Sequence, residues 1–155
     1  MKVTGVTASI LAIPQKEPYY YSQGVGTGVN CVLVRVETDA GITGIGEGCG
    51  DRSAEAIAAI INEMARALVG ESPYDVERFL HRVYRVGKWD DMRRFAHQAL
   101  AGIEMALWDI MGQACGEPVH RLLGGRLHDR SSCFAFLQGN SPDKLAEDAR
   151  CWLAQ

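Results

Sequence analysis

The chain lacks several features that would shorten the route to a function. No apolar run reaches the roughly 18 residues that a bilayer-spanning helix needs. The start, MKVTGVTASILAIPQKEP, holds only a broken apolar stretch, so it is read as a strand and not as a signal peptide. The net charge of −3 provides no basic field for nucleic acid and no polybasic membrane patch. Cysteine is sparse and scattered: Cys31, Cys49, Cys115, Cys133 and Cys151 are odd in number and form no C-x-x-C knuckle. That spacing suits buried thiols in a reducing cytosol better than a disulfide framework or a structural zinc site, and a cytoplasmic location is expected. His81, His97, His120 and His128 show no paired ligand spacing. The phosphate-loop pattern G-x-x-x-x-G-K-[ST] is missing as well.

What remains is ordinary globular material. The 155 residues are 47% apolar and 23% charged, enough for one domain with a real core, or one domain and a fragment. Val3 to Ile13 is β-branched enough to be a strand, and a polar, aromatic loop is expected from Pro14 to about Gly28. NCVLVRVET puts Val32, Val34 and Val36 on one face of a second strand. TDAGITG is a hairpin signal through Asp39 and Gly41, and the glycine-rich ITGIGEGC is the returning strand. Three strands joined in order predict an antiparallel meander.

Helical periodicity begins at Ser53, a suitable N-cap, with a stripe of Ile57, Ile60, Ile61, Met64 and Leu68 that Gly70 and Pro73 end. A second helix is expected from about Tyr74 or Asp75 to Gly87, burying Val76, Phe79, Leu80 and Val83. A third is expected from about Asp91 to Ala114, with a stripe of Met92, Phe95, Ala96, Ala99, Leu100, Ile103, Leu107 and Ile110. Ala99, Ala101, Gly102 and Ala106 keep that helix slim. PVHRLLGG reads as a short helix opened by Pro118 and closed by Gly124 and Gly125. SSCFAFL, residues 131–137, reads as a strand covered on both faces. A last helix starts with Ser141 as N-cap and Pro142 in its first turn, and meets no stop signal.

Gly24, Gly26 and Gly28 alternate in YYYSQGVGTGVN, and pose the question of a phosphate cradle. Such loops work by joining a strand to a helix N-terminus, whereas a strand follows here. The glycines are therefore read as giving mobility to a loop that leaves a sheet, or to a lid.

The order of these elements, with ALAGIEMALWDIMGQACGEPVHRLLGG at its centre, resembles the mandelate racemase and muconate lactonizing branch of the enolase superfamily. The residues that carry the likeness are Ala101-Gly102-Ile103-Glu104, Ala106-Leu107-Trp108-Asp109-Ile110, Gly112, Pro118 and Leu122-Leu123-Gly124-Gly125, with GITGIGEG at Gly41–Gly48. The resemblance implies an α+β fold: a three-stranded antiparallel meander, then a helical bundle, together a capping domain at residues 1–125. Residues 126–155 would be the linker, first strand and first helix of a (β/α) barrel. It further implies proton abstraction α to a carboxylate, as in a racemase, cycloisomerase or dehydratase, with one divalent ion, usually Mg2+, stabilising the enediolate.

By position, the resemblance makes 16–28 and 48–52 substrate-capping loops, with Tyr19, Tyr20, Tyr21, Thr27, Asp51 and Arg52 as substrate-binding candidates. The family's metal carboxylates and base lysines lie on later barrel strands. No catalytic or metal residue is therefore expected on this chain, which would be inactive alone and would pair with itself or with a missing barrel portion. Glu47, Asp51, Glu104 and Asp109 are the tempting acids. Glu104 and Asp109, five apart on one helix, project about 140° apart and cannot chelate one ion; Asp109 is expected to hydrogen-bond or pair with an Arg, and Glu47 to act as a structural acceptor. The rival reading is a stand-alone oligomerising or interaction module, pairing through an open apolar edge at 131–137.

Overall fold

The structure, a computed structural model, describes residues 1–50, 53–87 and 93–154. Among them three strands form one sheet in the order β1 (Val3–Tyr21), β2 (Gly24–Thr38) and β3 (Thr43–Cys49). The connections are too short for anything except antiparallel neighbours. The β2–β3 register pairs Val32 with Gly48, Val34 with Gly46 and Val36 with Gly44, and the three valines are fully buried. At the β2–β3 turn, Gly41 has a φ of 77°, a left-handed value that costs a glycine little. Thr38 closes this turn by donating its hydroxyl to the Ile42 carbonyl at 2.8 Å.

The expected loop over 14–28 is instead a β-hairpin. β1 runs on to Tyr21, and only Ser22 and Gln23 turn before β2 begins at Gly24. Tyr19, Tyr20, Tyr21, Val25 and Val29 all favour extended backbone. Of the alternating glycines only Gly28 is required by close packing, since a Cβ there would lie 2.8 Å from the Ile13 carbonyl oxygen; Cβ atoms on Gly24 and Gly26 would make ordinary contacts with the Tyr21 ring at 3.5 and 3.9 Å. A strand and not a helix follows these glycines, so no helix N-terminus faces them as a phosphate loop requires.

The helices are α1 (Ala54–Ala65), α2 (Val76–His81), α3 (Arg93–Cys115), α4 (Val119–Leu122) and α5 (Pro142–Leu153). Ser53 occupies the cap position of α1, yet its side chain makes no capping bond; its carbonyl accepts from the Ile57 amide. A π-helical turn at Arg82–Val86 continues α2 as far as Gly87. On α3, Ala96, Ala99, Leu100, Ile103, Leu107 and Ile110 are buried as the stripe requires. Phe95 is an exception at 36% exposed, and Met92 lies outside the described residues. Gly124 and Gly125 close the short α4 with φ of 108° and 94°.

The sheet packs on α3 at unusually short range. A Cβ on Gly44 would stand 2.0 Å from the Ala106 carbonyl oxygen, and one on Gly46 would stand 2.0 Å from that of Gly102. From the helix side, a Cβ on Gly102 would meet the Gly48 amide and Val34 Cγ2, each at 2.8 Å. The backbones of β3 and α3 thus touch, and Ile57, Ile61, Met64, Leu68, Ile103 and Leu107 fill the flanks of that contact.

The chain divides into two compact units. The first comprises Met1–Ala12 and Asn30–Gly125; the second comprises Ile13–Val29 and Arg126–Gln155. In the second unit, residues 131–137 form no strand, contrary to expectation, because among the described residues no neighbouring strand completes a ladder. Phe134 and Phe136 are 83% and 66% exposed, where a doubly covered strand had been expected.

Candidate functional site

Within the second unit, β1 delivers Tyr20 to a turn that leads into α5. The Tyr20 amide donates to Gln138 Oε1 at 3.0 Å, and the Gln138 amide donates to Asp148 Oδ2 on α5 at 2.7 Å. Ser141 caps α5 by accepting from the Lys144 amide at 3.2 Å, with Pro142 in the first turn, where its missing N–H is harmless. A Cβ on Gly139 would lie 3.0 Å from the Leu145 amide nitrogen, so the chain turns tightly into the helix. These constraints enclose a cavity of about 220 Å³ lined by Glu17, Pro18, Tyr20, Gln138, Gly139, Asn140 and Lys144.

The hollow is small and half-open, with a few polar groups set among apolar surface. Lys144 Nζ donates to Glu147 Oε2 at 3.0 Å. That bond raises the ammonium's pKa, aided by the charges of Glu147, Glu17 and Asp148, so Lys144 stays cationic. An ammonium, the Glu17 carboxylate, a phenol and amides around one hollow suit a hydroxyl-bearing molecule or one end of it.

Of the expected site residues, Tyr20 lines this cavity. Tyr19 and Tyr21 pair with each other over the glycines of β2, with ring centroids 5.9 Å apart. Thr27 is exposed on β2. Asp51 and Arg52 lie outside the described residues. Gln138 and Lys144 were missed by the sequence reading, since neither sits in a motif; the N-cap at Ser141 was the one signal that Lys144 would be fixed in a first helical turn.

The acids have structural occupations. Asp109 Oδ2 accepts from the Ile45 amide at 2.9 Å and from Gln113 Nε2 at 3.1 Å, so a side chain on α3 satisfies an edge donor of β3. Glu104 accepts from Trp108 Nε1 at 3.4 Å. Glu47 takes a hydrogen bond from the Cys31 thiol. Among the described residues, no three His, Cys, Asp or Glu side chains are grouped to hold a metal ion, so these residues do not fit such an ion. No helix there is long and apolar enough to cross a membrane.

The family described as mandelate racemase / muconate lactonizing enzyme, N-terminal domain, matches residues 5–124. The chain belongs to this family. Its fold is accordingly the enolase-superfamily α+β capping fold. A D-galactonate dehydratase of Variovorax paradoxus is 34% identical over 117 residues, which is 76% of this chain and 30% of that protein. The solved structure of an enolase-superfamily member from Polaromonas sp. JS666 superposes with a TM-score of 0.86 at 33% identity, over 99% of this chain and 42% of the other. An N-succinyl Arg/Lys racemase from Bacillus cereus gives 0.85 at 29% identity, over 99% and 42%. The chain thus spans about 30% of the length of the curated relatives it matches. Family membership also accounts for the contact between β3 and α3, because the segments that carried the sequence resemblance, Gly41–Gly48 and Ala101–Ile110, are the ones in contact.

Proposed function

We propose that the chain supplies the substrate-capping part of an enzyme that removes a proton α to a carboxylate, in a dehydratase, racemase or cycloisomerase reaction. The observation that carries this reading is the family match over residues 5–124. The dehydratase form takes its support from the D-galactonate dehydratases among the relatives, and a sugar acid is accordingly the favoured substrate class. Residues 1–125 form the cap, and residues 126–155 are the linker, first strand and first helix of a barrel. The exposed side chains of Phe134, Phe136, Trp152 and Leu153 support that division: an apolar face of this kind is a surface for further barrel elements to cover.

Tyr20, Gln138 and Lys144 hold a hydroxyl-bearing end of the substrate, and Tyr19, Tyr21 and Thr27 shape the approach to it; Asp51 and Arg52 are separate candidates for substrate contact. A divalent ion such as Mg2+, as is typical of the superfamily, would supply charge stabilisation in the whole enzyme, and its ligands and the catalytic bases would be residues other than those described. In this reading the chain alone does not turn over substrate.

A fusion of residues 1–155 to the remaining barrel of a D-galactonate dehydratase tests the reading. With D-galactonate and Mg2+ the fusion is expected to release a 2-keto acid, while the chain alone releases none. Replacing Tyr20 with Ala in the fusion is expected to raise KM by about tenfold with a smaller change in kcat, as for lost substrate binding. Turnover by the isolated chain, or a folded fusion that lacks activity, would overturn it.

A further inference from the structure

We propose that Cys31 and Cys49 form a redox-modification site, in which a peroxide-class oxidant converts the two thiols into a disulfide across β2 and β3. The register places Cys31 directly opposite Cys49, although 17 residues separate them in sequence. The type of pairing follows from Asp109. Because the Ile45 amide donates to that carboxylate, Ile45 is turned away from β2, and residues two and four further along, Glu47 and Cys49, share its orientation. Cys31 and Cys49 therefore form a non-hydrogen-bonded pair. Such pairs bring Cα atoms to about 4.5 Å, inside the range of about 4.4–6.8 Å that a disulfide spans. Both side chains project from the face of the sheet opposite Val32, Val34 and Gly48, because paired residues share a face. One residue further on the strands are still in contact, since a Cβ on Gly50 would lie 2.7 Å from the Asn30 carbonyl oxygen.

The two thiols are not equivalent. Cys49 is half-buried and Cys31 is buried. Burial pushes the Cys31 thiol's pKa up, and the Glu47 carboxylate, its hydrogen bond and the neighbouring Cys49 push it further. Cys49 is therefore the sulfur that meets the oxidant. Its thiolate attacks one peroxide oxygen, the O–O bond breaks, and Cys49 becomes a sulfenic acid as hydroxide departs. Cys31 sulfur then attacks the Cys49 sulfur. The S–O bond breaks, and the departing hydroxyl leaves as water with the Cys31 proton. Across both steps two thiols lose two electrons and one peroxide is reduced to two waters. The product ties the middle of β2 to the end of β3, two residues before Asp51.

The test uses the full chain with Cys115→Ser, Cys133→Ser and Cys151→Ser, all three being exposed positions. After treatment with a few equivalents of hydrogen peroxide, the protein is unfolded, alkylated and weighed. The expected product has lost two hydrogens, takes up no alkylating agent, yields a cross-linked peptide containing Cys31 and Cys49, and returns to two thiols with dithiothreitol. Formation is expected to be at least about tenfold faster in the folded protein than in urea, because the fold supplies the alignment. Adding Cys31→Ser is expected to abolish the cross-link. Two fully alkylated thiols, a chain-to-chain disulfide, a Cys49 sulfinic acid beside an intact Cys31, or equal rates folded and unfolded would each overturn the proposal.

Discussion

Replacing Gly46 with alanine tests the contact on which the fold rests. The new methyl carbon would stand 2.0 Å from the Gly102 carbonyl oxygen and 2.9 Å from the Ala106 amide nitrogen. Both are backbone atoms, so neither can rotate away. Restoring an ordinary separation of 3.4 Å requires β3 and α3 to part by about 1.4 Å at this point. A gap of only 0.5–1 Å already forfeits about a quarter to a half of the dispersion well between facing atoms, and Val34, Ile103, Ala106 and Leu107 all pack at this interface. Overpacking a core costs about 1–3 kcal/mol. With rigid backbone on both sides, Gly46→Ala belongs at about 3 kcal/mol. For a urea slope of about 2 kcal/mol/M, the midpoint should fall by about 1.5 M, read by far-ultraviolet circular dichroism. Gly24→Ala is the control: its Cβ finds nothing nearer than Tyr21 Oη at 3.5 Å, and its effect should stay within about 0.5 kcal/mol. A Gly46→Ala midpoint equal to the parent's, or equal damage from both substitutions, would refute the claim that backbone contact sets the spacing of β3 and α3.

Two further perturbations probe the polar contacts. Asp109→Ala leaves the Ile45 edge amide without its acceptor; a cost of about 1 kcal/mol is expected, because water can reach the site, together with faster hydrogen exchange at Ile45. Glu71 bonds to Arg82 at 2.8 Å, and that hydrogen bond, followed by the guanidinium charge, holds its carboxyl below the ordinary glutamate value. The pair therefore stabilises the fold above the ordinary glutamate pKa, and its contribution disappears as pH falls through the lowered folded value. Glu71→Gln should flatten the acid limb of a stability profile there while leaving the rest of the profile unaltered in shape; an unchanged acid limb would exclude the linkage.

Much of the fold was legible because local chemistry and tertiary demand agree. Val32, Val34 and Val36 alternate, and they are buried on one face. The small residues of α3 implied a close neighbour, and β3 is that neighbour. Gly41, Gly124 and Gly125 stand where left-handed backbone is needed. The misreadings have physical causes. Glycine alternation suggests a loop over 14–28, although in a strand it also allows a neighbouring carbonyl to approach, as Ile13 does at Gly28. Phe95 fits the apolar period of α3, but periodicity cannot say how wide a stripe the sheet covers. Residues 131–137 have strand composition, and a strand also needs a partner to bond with.

By itself the sequence determined the meander, the helical order, the slim face of α3 and the family likeness, because these depend on neighbours within a few turns or on residues the family shares. Tertiary structure alone decided that Tyr20 meets Gln138 more than a hundred positions away, that Asp109 serves the edge of β3, and that Cys31 faces Cys49. Such pairings are set by strand register and by the angle at which a chain re-enters a packed layer, and a linear spacing of residues does not encode either one.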